Sequence, residues 1–144
     1  MWWRINRGGG DPFLWTADSA DTAWAEGYRH TSEQGAPPAS QMPRDTWKMA
    51  VDVTGVADLK VPGAFSRYGI PDLHPTRRQW TLTQAVGEAC YLCGCRGALA
   101  PSAAHEGGRV LVVFRPLPAK PGLTPVPPPS QCVELPALPS GLRT

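Results

Sequence analysis

The chain has 144 residues, which suits one domain, and 42% of them are hydrophobic, which is enough to build a core. Its net charge is +2 with no block of like charges, so there is no basic patch suited to following nucleic-acid phosphates. No apolar run approaches the ~20 residues that span a bilayer, and the N-terminus lacks a secretory-signal pattern, so we expect a cytoplasmic protein.

The first part of the chain predicts a loop, a strand and a helix. Residues 1–12 are predicted as a loop, because three consecutive glycines and an Asp-Pro pair interrupt regular structure. A short apolar strand is predicted over 13–16. Ser19 is a good helix N-cap, and apolar residues then recur at helical spacing. Glu26 falls on the flank of that apolar face, from which it can point into a cleft.

The middle of the chain predicts a loop, strands and a second helix. Residues 31–46 contain three prolines without periodicity, which indicates an exposed loop. Apolar residues alternate over 48–53 as in a strand, and 59–61 is predicted as a further short strand. The clearest helix covers 81–93, where a Thr and a Gln three residues apart fit a capping box before a helical apolar stripe.

Two buried strands are predicted at 98–100 and 110–114, and the composition then changes. Nine of the chain's 17 prolines lie after residue 115, and such a segment cannot form a helix or a central strand. We therefore divide the chain into a domain at 1–115 and an extended or disordered tail at 116–144. Strand and helix signals mix without strict alternation, which indicates the α+β class.

Three of the four cysteines cluster, at Cys90, Cys93 and Cys95. Zinc takes four ligands, and no second Cys/His pair follows at a suitable spacing, so we predict no metal site. Cys90 and Cys93 are expected on the apolar face of the 81–93 helix, where cysteine acts as a small hydrophobic residue.

Six short segments, taken in order, resemble the RES domain family. They are Arg4-Ile-Asn6, Leu14-Trp15-Thr16-Ala17, Thr22-Ala-Trp-Ala-Glu26, Thr83-Gln84, Pro101-Ser102-Ala-Ala104 and Val112-Val-Phe114. No single segment is specific, but their order and approximate spacing agree with the family over about residues 4–115. The family usually has Tyr at the position of Trp15.

The resemblance implies an ADP-ribosyltransferase-like fold, with small mixed or antiparallel sheets and a few packed helices. It implies an enzyme that consumes NAD as substrate without a metal. It also implies a toxin of a toxin–antitoxin pair, neutralised by a helix-turn-helix antitoxin of the Xre type. Family activities include NAD glycohydrolysis, NAD phosphorolysis and ADP-ribosylation of a protein, so the acceptor of the ADP-ribose stays open.

The resemblance also implies roles for four residues. Glu26 would stabilise the oxocarbenium-like state that forms when the nicotinamide–ribose bond breaks. Arg4, or alternatively Arg7, would bind the pyrophosphate through two hydrogen bonds. Ser102 would position the nicotinamide amide or a phosphate, and Trp15 would stack on the nicotinamide.

Each of these residues also has a purely structural interpretation. A helical Glu is most often solvated, an Arg near a terminus is usually a surface charge, and Trp15 in an apolar strand is usually core. Ser102 after a proline is usually a turn residue or N-cap. Family members carry a further segment before the Arg, whereas this chain begins three residues ahead of Arg4. Two alternatives therefore stay open. One is a catalytically degenerate binding or interaction module. The other is a small structural subunit of a larger complex, held by the Pro-rich tail, in which Arg4, Glu26 and Ser102 do not converge.

Overall fold

The computed structural model describes residues 2–5, 13–68, 80–114 and 122–143. In chain order the regular elements are β1 Trp2–Ile5, β2 Phe13–Ala17, α1 Ala20–Glu33, β3 Arg44–Val51, β4 Val56–Asp58, α2 Trp80–Leu92, β5 Gly97–Pro101, β6 Arg109–Phe114 and β7 Leu123–Cys132. Short 3₁₀ helices occupy Pro38–Gln41 and Ser66–Tyr68.

The strands form one seven-stranded sheet in the order β4-β5-β6-β2-β1-β3-β7. All neighbouring pairs are antiparallel except β4 and β5, which run parallel. Strands and helices do not alternate along the chain, and the α+β class predicted from the sequence is confirmed.

Helix α1 begins where the sequence predicts. Ser19 is the N-cap in extended conformation, and its hydroxyl accepts a hydrogen bond from the Thr22 backbone N–H at 3.1 Å. This bond satisfies one of the donors that the first helical turn leaves without an intrahelical partner. The buried side of α1 presents Trp24 and Tyr28 to Ala17 of β2. The position of α1 is thus fixed at its start by a cap and along its length by packing.

Both helices pack on the same face of the sheet. Ala17, in the α1 cluster, pairs directly with Val110 of β6, so these two side chains share a face. Val112 lies two residues further along β6, on that same face, and it packs with Val86 and Cys90 of α2. We call this face the helical face.

The opposite face carries its own apolar cluster, built around Met49 of β3, Leu111 and Val113 of β6, and Leu123 of β7. β3 and β6 are separated in the sheet by two other strands. The sheet therefore curls, so that strands distant in the sheet order share one apolar cluster. Curling of this kind is what the right-handed twist of antiparallel sheets favours.

The proline-rich segment contributes β7, which lies at the edge of the sheet next to β3. An edge position suits proline, because the outward side of the strand needs no N–H donors for a further neighbour. Over Leu123–Cys132 the backbone is extended and forms an edge strand, which is neither a helix nor a central strand. The domain boundary at residue 115 stays a prediction.

The loop predicted over 31–46 is shorter at both ends, because α1 continues to Glu33 and β3 begins at Arg44.

Three further sequence-based expectations were wrong. β1 lies in the predicted loop 1–12, because its regularity comes from pairing with β3 across more than 40 residues of sequence and not from any local pattern. The predicted strand 59–61 is displaced to Val56–Asp58, and Leu59 turns under α2 into the core. Cys93 is exposed, since α2 ends at Leu92 and the chain turns there, whereas Cys90 is buried as expected.

Neither helix in the described part of the chain has the length and apolar character needed to cross a membrane.

Gly97, at the start of β5, is required by the close approach of β6. A Cβ at this position would lie 2.5 Å from the Val112 carbonyl oxygen. We expect Gly97→Ala to lower the free energy of unfolding by about 1–3 kcal/mol, because the backbones of β5 and β6 must separate. Urea denaturation followed by circular dichroism measures this change.

Gly87 in α2 is the matched control, because a Cβ there would meet nothing within 4 Å. Gly87→Ala should raise the free energy of unfolding by roughly 0.5–1 kcal/mol, since alanine is the better helix former. Equal effects of the two substitutions would contradict the close packing of β5 on β6.

Candidate functional site

The first half of the site lies on α1. Thr22 and Glu26 are one helical turn apart, so their side chains lie on the same side of the helix. Thr22 is fully buried, and Glu26 is half-buried. The Ser19 cap fixes the start of α1, so the helical register that places these two side chains is set three residues before Thr22.

The second half of the site is the turn between β5 and β6, residues 102–108. Ser102 is only 2% exposed, and its backbone N–H donates to the Gly108 carbonyl at 2.8 Å. Its hydroxyl oxygen accepts hydrogen bonds from the backbone N–H groups of Ala104 at 3.2 Å and His105 at 3.0 Å. Serine at this position therefore caps its own turn, which is the structural interpretation weighed from the sequence.

The two halves meet in a hydrogen bond between Ser102 and Glu26. The Ser102 hydroxyl donates to Glu26 Oε1 at 2.6 Å, in the range of short hydrogen bonds to a carboxylate. Because the hydroxyl oxygen already accepts two N–H bonds, its single proton is directed at the carboxylate. Among the described residues Glu26 Oε2 has no further hydrogen-bond partner, so the contact orients a carboxylate that keeps one oxygen available as an acceptor.

His105 adds a second connection between the same two elements. Its Nδ1 lies 2.8 Å from Thr22 Oγ1, and its Nε2 lies 2.8 Å from the Ser140 carbonyl oxygen. No role for His105 was predicted from the sequence. No local signal joins His105 to Thr22, which is 83 residues away in sequence.

Trp15 lies on the helical face but is not part of the core. It pairs directly with Val112, so both side chains point to the face that carries α1 and α2. Val112 is buried under α2, whereas Trp15 remains 48% exposed. The exposure argues against a core role, which was the structural alternative for Trp15. An indole exposed on this face is available to stack on a planar ligand.

The remaining sequence-predicted residue, Arg4, lies in β1, where its backbone pairs with Trp47 of β3. Its side chain is outside the described part of the structure, as is the alternative Arg7 as a whole. The structure thus brings together Glu26 and Ser102, places Trp15 on the same sheet face as α1, and gives the position of Arg4 only along the backbone.

Two pKa shifts lie close to the site. Burial acts to raise the pKa of Asp18, but hydrogen bonding with Arg109, whose Nε is 3.0 Å from Oδ2, holds it below its usual value. This ion pair fixes the connection between β2 and α1. Burial raises the pKa of Tyr28, with a further contribution from Cys132, so Tyr28 stays protonated and donates to the Pro136 carbonyl at 2.5 Å.

Burial also raises the pKa of Cys90, with contributions from Cys95 and Cys93, as expected of a cysteine packed as a hydrophobic residue. Within the described ranges, no group of three or more His, Cys, Asp or Glu side chains could hold a metal ion.

Comparison with known proteins identifies relatives of this chain. The RES domain family matches residues 3–135. A probable NAD(+) phosphorylase of Mycobacterium tuberculosis is 32% identical over 106 residues, which are 73% of this chain and 50% of that protein. The chain thus spans about half the length of the curated relative it matches.

Among solved structures, the M. tuberculosis MbcT-MbcA toxin-antitoxin complex contains a chain with the same fold. The TM-score is 0.74 at 21% sequence identity, and the match covers 92% of this chain and 83% of that one. The ADP-ribosyltransferase-like α+β fold expected from the sequence is confirmed.

The Ser102 hydroxyl has a structural role that can be measured without any ligand. Ser102→Ala removes the acceptor of two backbone N–H groups and the donor to Glu26. We expect a loss of about 1–3 kcal/mol in the free energy of unfolding, because buried donors are left without partners. Ser40→Ala is the control, since Ser40 is exposed and makes one local hydrogen bond to the Pro37 carbonyl. A loss no larger than that of Ser40→Ala would exclude this role.

Proposed function

The chain belongs to the RES domain family, and on that basis we propose that it is an NAD-consuming toxin of a toxin–antitoxin pair. The relative named as a probable NAD(+) phosphorylase supports NAD as the substrate. The shared fold with a chain of a toxin–antitoxin complex is consistent with the toxin role. Within this chain, the observation that carries the proposal is the 2.6 Å hydrogen bond between Ser102 and Glu26.

In the proposed reaction the bond between the nicotinamide nitrogen and C1′ of the ribose breaks. The bonding electrons go to the ring nitrogen, so nicotinamide leaves as a neutral molecule and needs no proton. Positive charge develops on the ribose, as in glycoside cleavage. An oriented carboxylate stabilises that charge and can accept a hydrogen bond from a ribose hydroxyl. We assign this role to Glu26. The acceptor oxygen then bonds to C1′ and loses its proton.

We assign Ser102 to orienting Glu26. Its hydroxyl donates to the carboxylate and accepts two backbone N–H groups, so its hydrogen-bonding capacity is in use before a substrate binds. Direct contact of Ser102 with nicotinamide or phosphate, which the family resemblance implies, would require one of these bonds to break. A carboxylate held in advance costs less reorganisation in the transition state than one that must be ordered by substrate.

We further propose that Trp15 stacks on the nicotinamide and that Arg4 binds the pyrophosphate. For Trp15 the support is its exposure on the face that carries α1. For Arg4 the support is the family resemblance, together with the preference of phosphate groups for the planar guanidinium. Arg7 stays the alternative for this contact.

The relatives also support a proposal for the acceptor and for the partner. Phosphate is the acceptor that the name of the curated relative favours, with water and a protein side chain as the alternatives. We propose a helix-turn-helix antitoxin as the neutralising partner, because a cytoplasmic chain that degrades NAD must be held inactive in its own host. The contact between Glu26 and Ser102 argues against the structural-subunit alternative, in which these side chains do not converge.

Replacing Glu26 tests the proposed chemistry. Purified protein should convert NAD to nicotinamide, and Glu26→Gln should lower kcat roughly 10²- to 10³-fold, because the charge that stabilises the transition state is lost. Nicotinamide release measured by chromatography gives the rate, and ³¹P NMR with and without added phosphate identifies the acceptor.

Glu134→Gln is the control for this experiment, because Glu134 is exposed beyond the end of β7. Folded parent protein that releases no nicotinamide would favour the catalytically degenerate module. Equal rates for the Glu26→Gln and Glu134→Gln proteins would remove Glu26 from the chemistry.

Replacing Trp15 separates stacking from catalysis. Trp15→Ala should raise KM for NAD about tenfold with a smaller change in kcat, because stacking on an aromatic ring contributes about 1–3 kcal/mol per base. Trp15→Phe and Trp15→Tyr should stay near the parent, since both keep an aromatic face. Steady-state kinetics at varied NAD concentration measure this, and a KM that is the same for Trp15→Ala and Trp15→Phe would disprove stacking.

A further inference from the structure

We propose that His105 is a positioning residue for this site. Its ring links α1 to residues 136–143, which we call the C-terminal segment, and thereby holds Ser102 against Glu26. The inference deepens the proposed NAD cleavage and rests on it for its catalytic consequence. The structural part of the inference concerns only contacts within this chain and can be tested separately.

The first link joins His105 to the helix that carries Glu26. Nδ1 of His105 lies 2.8 Å from Thr22 Oγ1, and that oxygen lies 2.9 Å from the Ser19 hydroxyl. Thr22 is fully buried and precedes Glu26 by one helical turn. A hydroxyl both donates and accepts, so Thr22 can pair with Nδ1 in either protonation state of the ring. The ring therefore connects the 102–108 turn to α1 beside the bond between Ser102 and Glu26.

The second link joins His105 to the C-terminal segment. Nε2 lies 2.8 Å from the Ser140 carbonyl oxygen. A carbonyl oxygen only accepts hydrogen bonds, so Nε2 must carry a proton. With a partner on each ring nitrogen, the orientation of the imidazole is fixed from both sides. Hydrogen bonds orient the rings of metal-binding histidines in the same way.

The third link is the backbone of His105 and its neighbours. The His105 N–H donates to the Ser102 hydroxyl at 3.0 Å, so displacement of His105 acts directly on Ser102. The C-terminal segment pairs with the same turn through Glu106 N–H to the Gly141 carbonyl at 2.9 Å and Arg143 N–H to the Ala104 carbonyl at 2.8 Å. The RES match covers residues 3–135, so these partners lie beyond the matched residues.

The backbone of Gly108 packs closely against the hydrogen bond between His105 and Thr22. A Cβ at Gly108 would lie 2.5 Å from Thr22 Oγ1 and 2.9 Å from His105 Nδ1. The backbone at the start of β6 therefore closes over this hydrogen bond. Tyr28 ties α1 to the C-terminal segment at a second place, through its hydrogen bond to the Pro136 carbonyl. Helix, turn and C-terminal segment thus form one connected unit.

Kinetics of His105 variants test the catalytic consequence. His105→Ala should lower kcat about 10- to 100-fold with little change in KM, because a misplaced carboxylate reduces transition-state stabilisation more than substrate binding. His105→Asn keeps a polar group towards Thr22 and His105→Gln keeps one towards Ser140, so both should recover part of the rate. Thr22→Val should resemble His105→Ala, and the double variant should be no worse than the stronger single one.

His30→Ala is the control, because His30 is exposed on α1 and its ring nitrogen faces Gln34. A kcat for His105→Ala equal to that of His30→Ala, while the parent cleaves NAD, overturns the inference and leaves the proposed function intact.

A double-mutant cycle tests the structural part without NAD. Unfolding of Glu26→Gln, Ser102→Ala and the double variant should show coupling between the two side chains in the parent. The same cycle in a His105→Ala background should show this coupling lost. Coupling that survives intact there overturns the inference whatever happens to kcat. Loss of coupling in a chain that does not cleave NAD would instead support the positioning role and refute the proposed function alone.

Discussion

A short hydrogen bond joins the Ser102 hydroxyl to the Glu26 carboxylate across 76 residues of sequence, and much of the tertiary structure keeps these two groups together. Ser102 can direct its proton at Glu26 because two backbone N–H groups occupy its acceptor positions. Those N–H groups are in place because the 102–108 turn is closed by Gly108 and held by the C-terminal segment. Glu26 is in place because Ser19 fixes the start of α1. The geometry of this one hydrogen bond therefore depends on the helix cap, the turn and the C-terminal segment together.

The sheet supplies the common support for these parts. β2 leads into α1, β5 leads into the 102–108 turn, and β6 lies between the two strands and pairs with both. α1 and α2 pack on the same face of the sheet, so this face carries two apolar clusters. Trp15 lies in β2 on this face, opposite Val112 of one cluster and two residues before Ala17 of the other, and it remains half-exposed. The opposite face is apolar and closed by the curl of the sheet. Trp15 is therefore exposed on the same sheet face against which α1, the helix that carries Glu26, packs.

The proline-rich segment has a structural explanation in this arrangement. Its prolines fit an edge strand, where the outward side of β7 needs no donors, and prolines on an edge also discourage pairing with another chain. After β7 the chain returns to the site, and residues 140–143 contact the turn that carries Ser102. A segment without helix propensity is suited to this task, because an extended backbone leaves its N–H and C=O groups free for the turn.

Local signals in the sequence were enough to predict the α+β class, the Ser19 cap, both helices and most strands, because periodicity, capping and turn residues act over a few positions. The order of short segments also predicted the family and nominated Glu26 and Ser102. β1, β7 and the displaced β4 could not be predicted, since these strands owe their regularity to partners far away in sequence. His105 was missed for the same reason: its partners, Thr22 and Ser140, are 83 and 35 residues away. Sequence by itself determined both helices, most of the strands and which residue types could do the chemistry. Only the tertiary structure decided which side chains meet, because side-chain hydrogen bonds between distant segments leave no periodic trace in the chain.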